Sequence, residues 1–418
     1  MHLVSLNMTQ LLLKLFRGTM KCDKDDPKSS WVWAVLQGNT WKYHGEHVAS
    51  SAPYLPGSFD KAPRNPAEKV SSNYKAQEYL TYIYGLCPGL LYGILPEVYW
   101  KCFCKLVVAI RILHQRSISR AQVRKAYTLI MEFIKEFEEL FYQRKVERIH
   151  FCRQCIHGLV HLAPEVVRIG PDGYRSQFPM ERTIGILGQM IKQPSNPYAN
   201  LSERGVQLTQ LNALSAMIPQ FAIPEKGLPF GAIDLEDGFA LLRAKDSTDR
   251  KAVDHERQAL IEFFGNPEQI GVVVKVRKWA RLLLPNGQIA RSAWKEKTKK
   301  LEQVRMSRNV KIKYENGHRF AEVQYYFQAE VGGVVKAFAL SSIYSTPNAT
   351  ILQKSNGALA VCKYKGPSSY KIIPASSILS VVAMVPFPAG EEDEFFLVEK
   401  LGLDLAHLGG YAEDITPE

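Results

Sequence analysis

Arg319-Phe320-Ala321-Glu322-Val323-Gln324-Tyr325-Tyr326-Phe327-Gln328-Ala329 decides how this chain divides. Ala321, Val323, Tyr325 and Phe327 alternate with Glu322, Gln324 and Tyr326, the period of two that sends successive side chains to opposite faces of a strand. Upstream the period changes. Val123, Tyr127, Ile130, Ile134, Phe137 and Phe141 recur at steps of three and four, the spacing of one helix face. Further helices are predicted over 97–116, 147–163, 201–217 and 256–264. Strands are predicted over 271–276, 334–342, 358–364 and 378–385. Nothing before residue 220 keeps a period of two.

The fold class read from this division is α+β and multidomain. Residues 1–217 form a mostly helical half, and 218–264, punctuated by Pro and Gly, form a linker with a short helix. Residues 265–410 form a basic β-rich domain, and 411–418 a tail. Short strands separated by Asn-Gly, Gly-Gly and Gly-Pro turns predict a small antiparallel barrel or sandwich. Pro53, Pro56, Pro63 and Pro66 mark 51–73 as a long loop, and the acidic run Glu391 to Glu394 reads as another, exposed one.

With 418 residues, 46% of them apolar, the chain is long enough for two or three cores. No run of eighteen apolar residues exists, which argues against a membrane span. Leu11, Leu12 and Leu13 are followed by Lys14 and Arg17 and have no basic segment before them, so residues 1–20 read as an amphipathic helix and not a signal peptide. Seven scattered cysteines, an odd number, fit a reducing compartment inside the cell.

The net charge is +12, and nearly all of it is local. Lys275, Arg277, Lys278, Arg281, Arg291, Lys295, Lys297, Lys299, Lys300, Arg305, Arg308, Lys311 and Lys313 stand against two glutamates in the same stretch. Trp279, Trp294 and Tyr314 are interleaved with them, a composition suited to phosphate contact and base stacking. The other reading is a solvated basic face with the aromatics in a core.

Phe151-Cys152-Arg153-Gln154-Cys155-Ile156-His157-Gly158-Leu159-Val160-His161-Leu162 holds two Cys and two His, an apparent zinc set. At about 100° per residue a helix puts the cysteines near 0° and 300° and the histidines near 140° and 180°, so one helix cannot converge all four. The cysteines fall with Ile149, Ile156, Leu159 and Val160 and read as small core residues. The histidines project side by side on the polar face, as two metal ligands or as exposed side chains. Beyond them stand Gly170-Pro171, Tyr174-Arg175 and Pro179-Met180-Glu181-Arg182, with Glu181 twenty residues past His161.

This order of landmarks resembles CACTA-type DNA transposases, which carry His-x3-His-Leu, Gly-Pro-x2-Tyr-Arg and Tyr-Pro-Phe-Glu-Arg in turn. Gly93-Ile94-Leu95-Pro96 is similar to the family's Gly-x-Leu-Pro, and Met1-His2-Leu3 to a Met-His-Ile that follows an aspartate. Asn65-Pro66-Ala67-Glu68-Lys69 and Gln193-Pro194-Ser195-Asn196-Pro197 look most like the Plavaka-like lineage of fungal transposons. The likeness spans nearly the whole chain, with its motif-grade part at 157–182. It implies that residues 1–217 are the tail of an RNase H-like transposase core with its helical insertion. It further implies that His157 and His161 belong to a Zn²⁺ site and that Glu181 is the third catalytic carboxylate for Mg²⁺. Glu181 alone also reads as a first-turn glutamate favoured by the helix dipole.

The resemblance places the two catalytic aspartates, and the Cys-x2-Cys that completes zinc coordination, upstream of Met1. Asp23, Asp25 and Asp26 match no motif. The expectation is therefore a transposon-derived, truncated transposase, inactive in strand transfer, with Mg²⁺ ancestral and Zn²⁺ weakly held. DNA is the expected partner, with self-association or a full-length transposase beside it, no membrane and no small-molecule substrate, and a nuclear location. The alternative is a DNA- or chromatin-binding module acting through the β-rich domain. That domain is similar to the small barrels behind plant transposase cores, themselves likened to chromatin readers.

Overall fold

The computed structural model describes residues 2–70, 74–175, 177–221, 227–265, 275–315 and 317–402. The first half is helical, as its period predicts. The helix Arg120–Phe137 opens on a capping box: Ser119 Oγ accepts from the Gln122 N–H at 3.2 Å, and Gln122 Oε1 accepts from the Ser119 N–H at 2.8 Å. Two donors that a helix start leaves open are thereby satisfied. Ala126, Ile130, Phe133 and Phe137 are buried along its stripe, and the helix packs on Glu97–Leu113. Wider turns continue over Glu138–Tyr142 and stop at Gln143, which adopts a left-handed φ of 55°.

An aromatic cluster holds this half together. Trp33 stacks on Trp31 with centroids 5.9 Å apart and meets Tyr99, Phe141 and Phe151. Beside it Arg148 donates to both oxygens of Asp26, at 2.7 and 2.5 Å, and Trp31 Nε1 donates to the same carboxylate at 2.8 Å. Neither charged side chain is more than 3% exposed. Removing one partner would leave a buried charge uncompensated, at a cost of about 3–5 kcal/mol. Asp26 is thus an internal strut.

The helix Thr9–Phe16 is amphipathic as expected: Leu11, Leu12, Leu13, Leu15 and Phe16 are buried, while Gln10 and Lys14, one turn apart, are exposed. Its apolar face is wide and well covered, with Phe16 edge-on to Phe103. Other expected elements differ. The helix expected over 147–163 is a 3-10 segment, Val146–Phe151, then a break at Cys152 (ψ 73°), then the helix Gln154–Ile169. Cys155 is buried as expected, but Cys152 is exposed because it stands in the break.

The strands are β1 Ile233–Asp234, β2 Ala240–Lys245, β3 Arg250–Lys251, β4 Lys275–Val276, β5 Trp279–Leu283, β6 Ile289–Arg291 and β7 Asn309–Tyr314. They continue as β8 Gly317–Val331, β9 Val334–Ile343, β10 Val361–Lys363, β11 Tyr370–Pro374, β12 Ile378–Val381, β13 Ala383–Pro386 and β14 Glu394–Val398. A nine-stranded antiparallel sheet runs β1-β2-β5-β8-β7-β12, with β9 also on β8, β11 on β9 and β6 on β5. The expected barrel is not closed. β11 turns through Ala375–Ser377 into β12, yet β11 pairs with β9 and β12 with β7, so the two ends of the meander are not joined by a ladder among the described residues. Residues 271–274 of the first expected strand, and the expected tail, lie outside the described residues.

β8 organises the sheet through one irregularity. Its partners on β9 are Ser341 for Val323 and Leu340 for Tyr325, so Gln324 is an extra residue. Ahead of this bulge Ala321 and Val323 enter one core; beyond it Tyr326 enters that core while Tyr325, Phe327 and Ala329 enter another. A slip of one residue exchanges the two faces. Both faces are covered, so Glu322 and Gln324, expected on a polar face, are buried as well.

Contacts cross the expected limits of the linker and of the β-rich domain. β2, from the expected linker, lies between β1 and β5 with Leu241 and Leu242 buried, and the helix Asp254–Phe264 packs on β11. A second sheet, β10-β14-β13, sends Val361, Val385, Phe396 and Val398 into the core of the helical half. Gly89 permits this contact, since a Cβ there would come within 2.9 Å of the Phe396 ring. Arg111, on the helix Glu97–Leu113, donates to the Ala358 carbonyl at 2.7 Å. The proline-rich stretch forms another part of the seam: Arg305 donates to the carbonyls of Leu55, Pro56 and Asp60, and the Met306 N–H to that of Pro53.

Candidate functional site

The helix Gln154–Ile169 buries Cys155, Ile156, Leu159, Ala163 and Val166 and turns His157 and His161 outward. One turn apart, their Nε2 atoms stand 3.1 Å from each other, with ring centroids 4.9 Å apart. Two nitrogens each bound to one ion at about 2.0–2.1 Å span a gap of this order, so the pair can act as a two-point chelate. Among the described residues no further His, Cys, Asp or Glu completes a three-member group. The nearby cysteines do not supply one: the Cys155 thiol points into the core and is pushed up by burial, which disfavours the thiolate that binds metal. Cys87, Cys102 and Cys104 are buried with thiols pushed up in the same way, whereas Cys22 is exposed.

Glu181 lies in the first turn of the helix Phe178–Met190 and is exposed. Glu181 stands in a first turn as the sequence suggests, and the apolar side of the helix is open. Ile184 is 55% exposed, and Leu187 and Ile191 are half-buried. This helix and the next, Pro197–Met217, pack on each other, and the second buries no residue, with Leu211 and Met217 exposed. Among the described residues, only Phe178 of this pair packs against the helical core. Upstream, Tyr174 Oη accepts from Arg116 Nε at 2.9 Å, while the side chains of Arg175, Pro179 and Arg182 lie outside the description. An in-line phosphoryl reaction on two Mg²⁺ ions needs several carboxylates to hold and space them. Glu181 is part of no such group among the described residues, so the residues present do not fit that ion pair.

The basic stretch is dispersed by the fold. Arg277 pairs with Asp249, Lys278 with Glu256 and Lys311 with Glu399, at 2.8, 3.0 and 2.8 Å. Arg308 lies between Glu296 and Glu322, and Lys297 reaches Glu322 at 3.1 Å. Arg305 closes the seam described above. Arg281 is buried and Arg291 half-buried, opposite each other on β5 and β6. Lys295, Lys299, Lys300 and Lys313 are exposed, with Lys295 over the Trp294 ring at 4.6 Å; the side chain of Lys275 is outside the description. Trp279 is core. Much of the stretch's positive charge is therefore matched by carboxylates, most of them from outside the stretch, or set on backbone carbonyls. No helix among the described residues is long and apolar enough to cross a membrane.

The chain matches no protein-family model, no curated protein and no solved structure.

Proposed function

We propose that this chain is transposon-derived, descended from a CACTA-type DNA transposase of the Plavaka-like kind, and that these residues by themselves carry no strand-transfer chemistry. The observation that supports it best is the pairing of His157 and His161 on a polar helix face, Nε2 to Nε2 at 3.1 Å, in the position where the resemblance calls for paired metal ligands. Glu181, exposed in a first turn, is the one carboxylate matched to the family's catalytic set. Zn²⁺ is held weakly by two nitrogens, and Mg²⁺ is ancestral. The test is to read the genomic DNA just upstream of the Met1 codon. An in-frame aspartate in the family's Asp-x2-His relation to His2 is expected; an unrelated reading frame joined to Met1 contradicts the ancestry.

A second reading, binding of DNA by the β-rich part in the nucleus, rests on the exposed Lys295, Lys299, Lys300 and Lys313, with Lys295 over the Trp294 ring. Contact through these four lysines would make the logarithm of affinity fall with that of salt at a slope of about −4. A slope near −10 would mean that the ion pairs described above open on DNA, and no binding at low salt would remove this reading.

A further inference from the structure

The acidic run and the buried carboxylate of β8 belong to neither of these sites, and they meet at one cleft. It has a volume of about 590 Å³ and lies where the two sheets approach each other. Three rings line it at inclined angles: Tyr344 to Tyr364 with centroids 5.4 Å apart at 53°, and Tyr344 to Phe395 at 6.2 Å and 76°. Glu322 lies in the wall, 5% exposed, and accepts from Tyr364 Oη at 2.5 Å. Glu391 and Glu392 stand exposed at the mouth and begin the run Glu391-Glu392-Asp393-Glu394. Lys363 pairs with Glu391 and stands 3.8 Å from Glu394, so among the described residues it is Glu392 and Asp393 that bring further negative charge to the mouth.

Inclined aromatic faces beside a carboxylate attract cations, and they favour one whose charge is spread over methyl groups, because such a cation loses little hydration on entering. Lys297 shows that the carboxylate accepts an ammonium group. Its Nζ stands 3.1 Å from Glu322 Oε2, on a side chain 52% exposed that can swing away. Glu322 keeps Arg308 at 2.7 Å when Lys297 leaves, so exchange would not strand the buried charge.

We propose that this cleft binds a methylated ammonium group, with the Tyr344, Tyr364 and Phe395 rings as the cage, Glu322 as the counter-charge and Lys297 as the resident competitor. A trimethyllysine side chain in a basic peptide and a free cation such as choline share this chemistry. Glu392 and Asp393 at the mouth favour the peptide, whose flanking cations they can pair.

The experiment is calorimetric titration of the full chain with a trimethyllysine peptide, the same peptide unmethylated, the peptide with the neutral tert-butyl isostere, and choline. The trimethylated peptide should bind about tenfold or more tighter than the unmethylated and neutral ones. Phe395→Leu, which keeps the apolar packing and removes the π face, should weaken binding about tenfold. Lys297→Met should strengthen it. Choline binding as tightly as the peptide would assign the site to a free cation; choline binding far more weakly would assign it to the peptide. Equal binding of methylated and neutral peptides, no binding of either cation, or an unchanged affinity in a Phe395→Leu protein that melts like the parent would overturn the proposal.

Discussion

His44 shows how one residue ties fold to solution conditions. It lies in the helix Gly38–Ser50, 2% exposed, stacked on Trp41, with Nε2 at 2.8 Å from the Tyr82 hydroxyl. Burial, then the nearby His47, lowers its pKa to about 3. The fold therefore holds His44 neutral, whereas the unfolded chain takes up a proton below about pH 6.5. Its contribution is complete above that pH and is lost as pH falls toward 3. In His44→Gln the decline of the melting temperature between pH 6.5 and 4 should be shallower than in the parent, and an unchanged decline would exclude His44 as its source. Asp26 contributes in the same direction, since the Arg148 hydrogen bonds hold its carboxyl below the usual range. Neither role was legible in the sequence. Asp26 looked like one of three loop aspartates, because its partner stands 122 residues away. By contrast, the outward pairing of His157 and His161 was legible, since a four-residue step on a helix determines it.

At the scale of elements, long regular patterns were readable and short or doubly covered ones were not. The helix Arg120–Phe137 and the strand β8 announce themselves by period. β7 carries a readable period as well, Val310, Ile312 and Tyr314 alternating with Lys311 and Lys313, but only over six residues; β5 carries none, because Arg281 is buried there and polarity fails to mark an outer face. The bulge at Gln324 was hidden for a related reason. A period of two continues through Tyr325 and Phe327 in letters, while the register shift sends them to a different core from Ala321 and Val323. Deleting Gln324 should force Tyr325 and Phe327 toward the other face and abolish near-ultraviolet circular dichroism of the tertiary fold, whereas Gln324→Ala should cost only about 1–3 kcal/mol, the loss of a buried hydrogen bond. A deletion protein as stable as the alanine variant would mean that the bulge does not set the register.

For the whole molecule, the division into a helical half and a β-rich half was readable, but their union was not. Val361, Val385 and Phe396 return from the far end of the chain to the helical core, and contacts at such separation leave no local pattern. The basic stretch misled in the same way: composition counts charges, while only the fold shows Arg308 between Glu296 and Glu322 and Arg305 on three carbonyls of the proline-rich loop. Of the candidate site residues, the histidine pair, Glu181 and several lysines face outward, and the proposed descent from a transposase without transposition is to be tested on them. A strand-cleavage and strand-transfer assay on the purified chain with Mg²⁺ and DNA tests this most directly. The account predicts no product above background for the parent and for Glu181→Ala alike; Mg²⁺-dependent strand transfer by the parent that disappears in Glu181→Ala would contradict it.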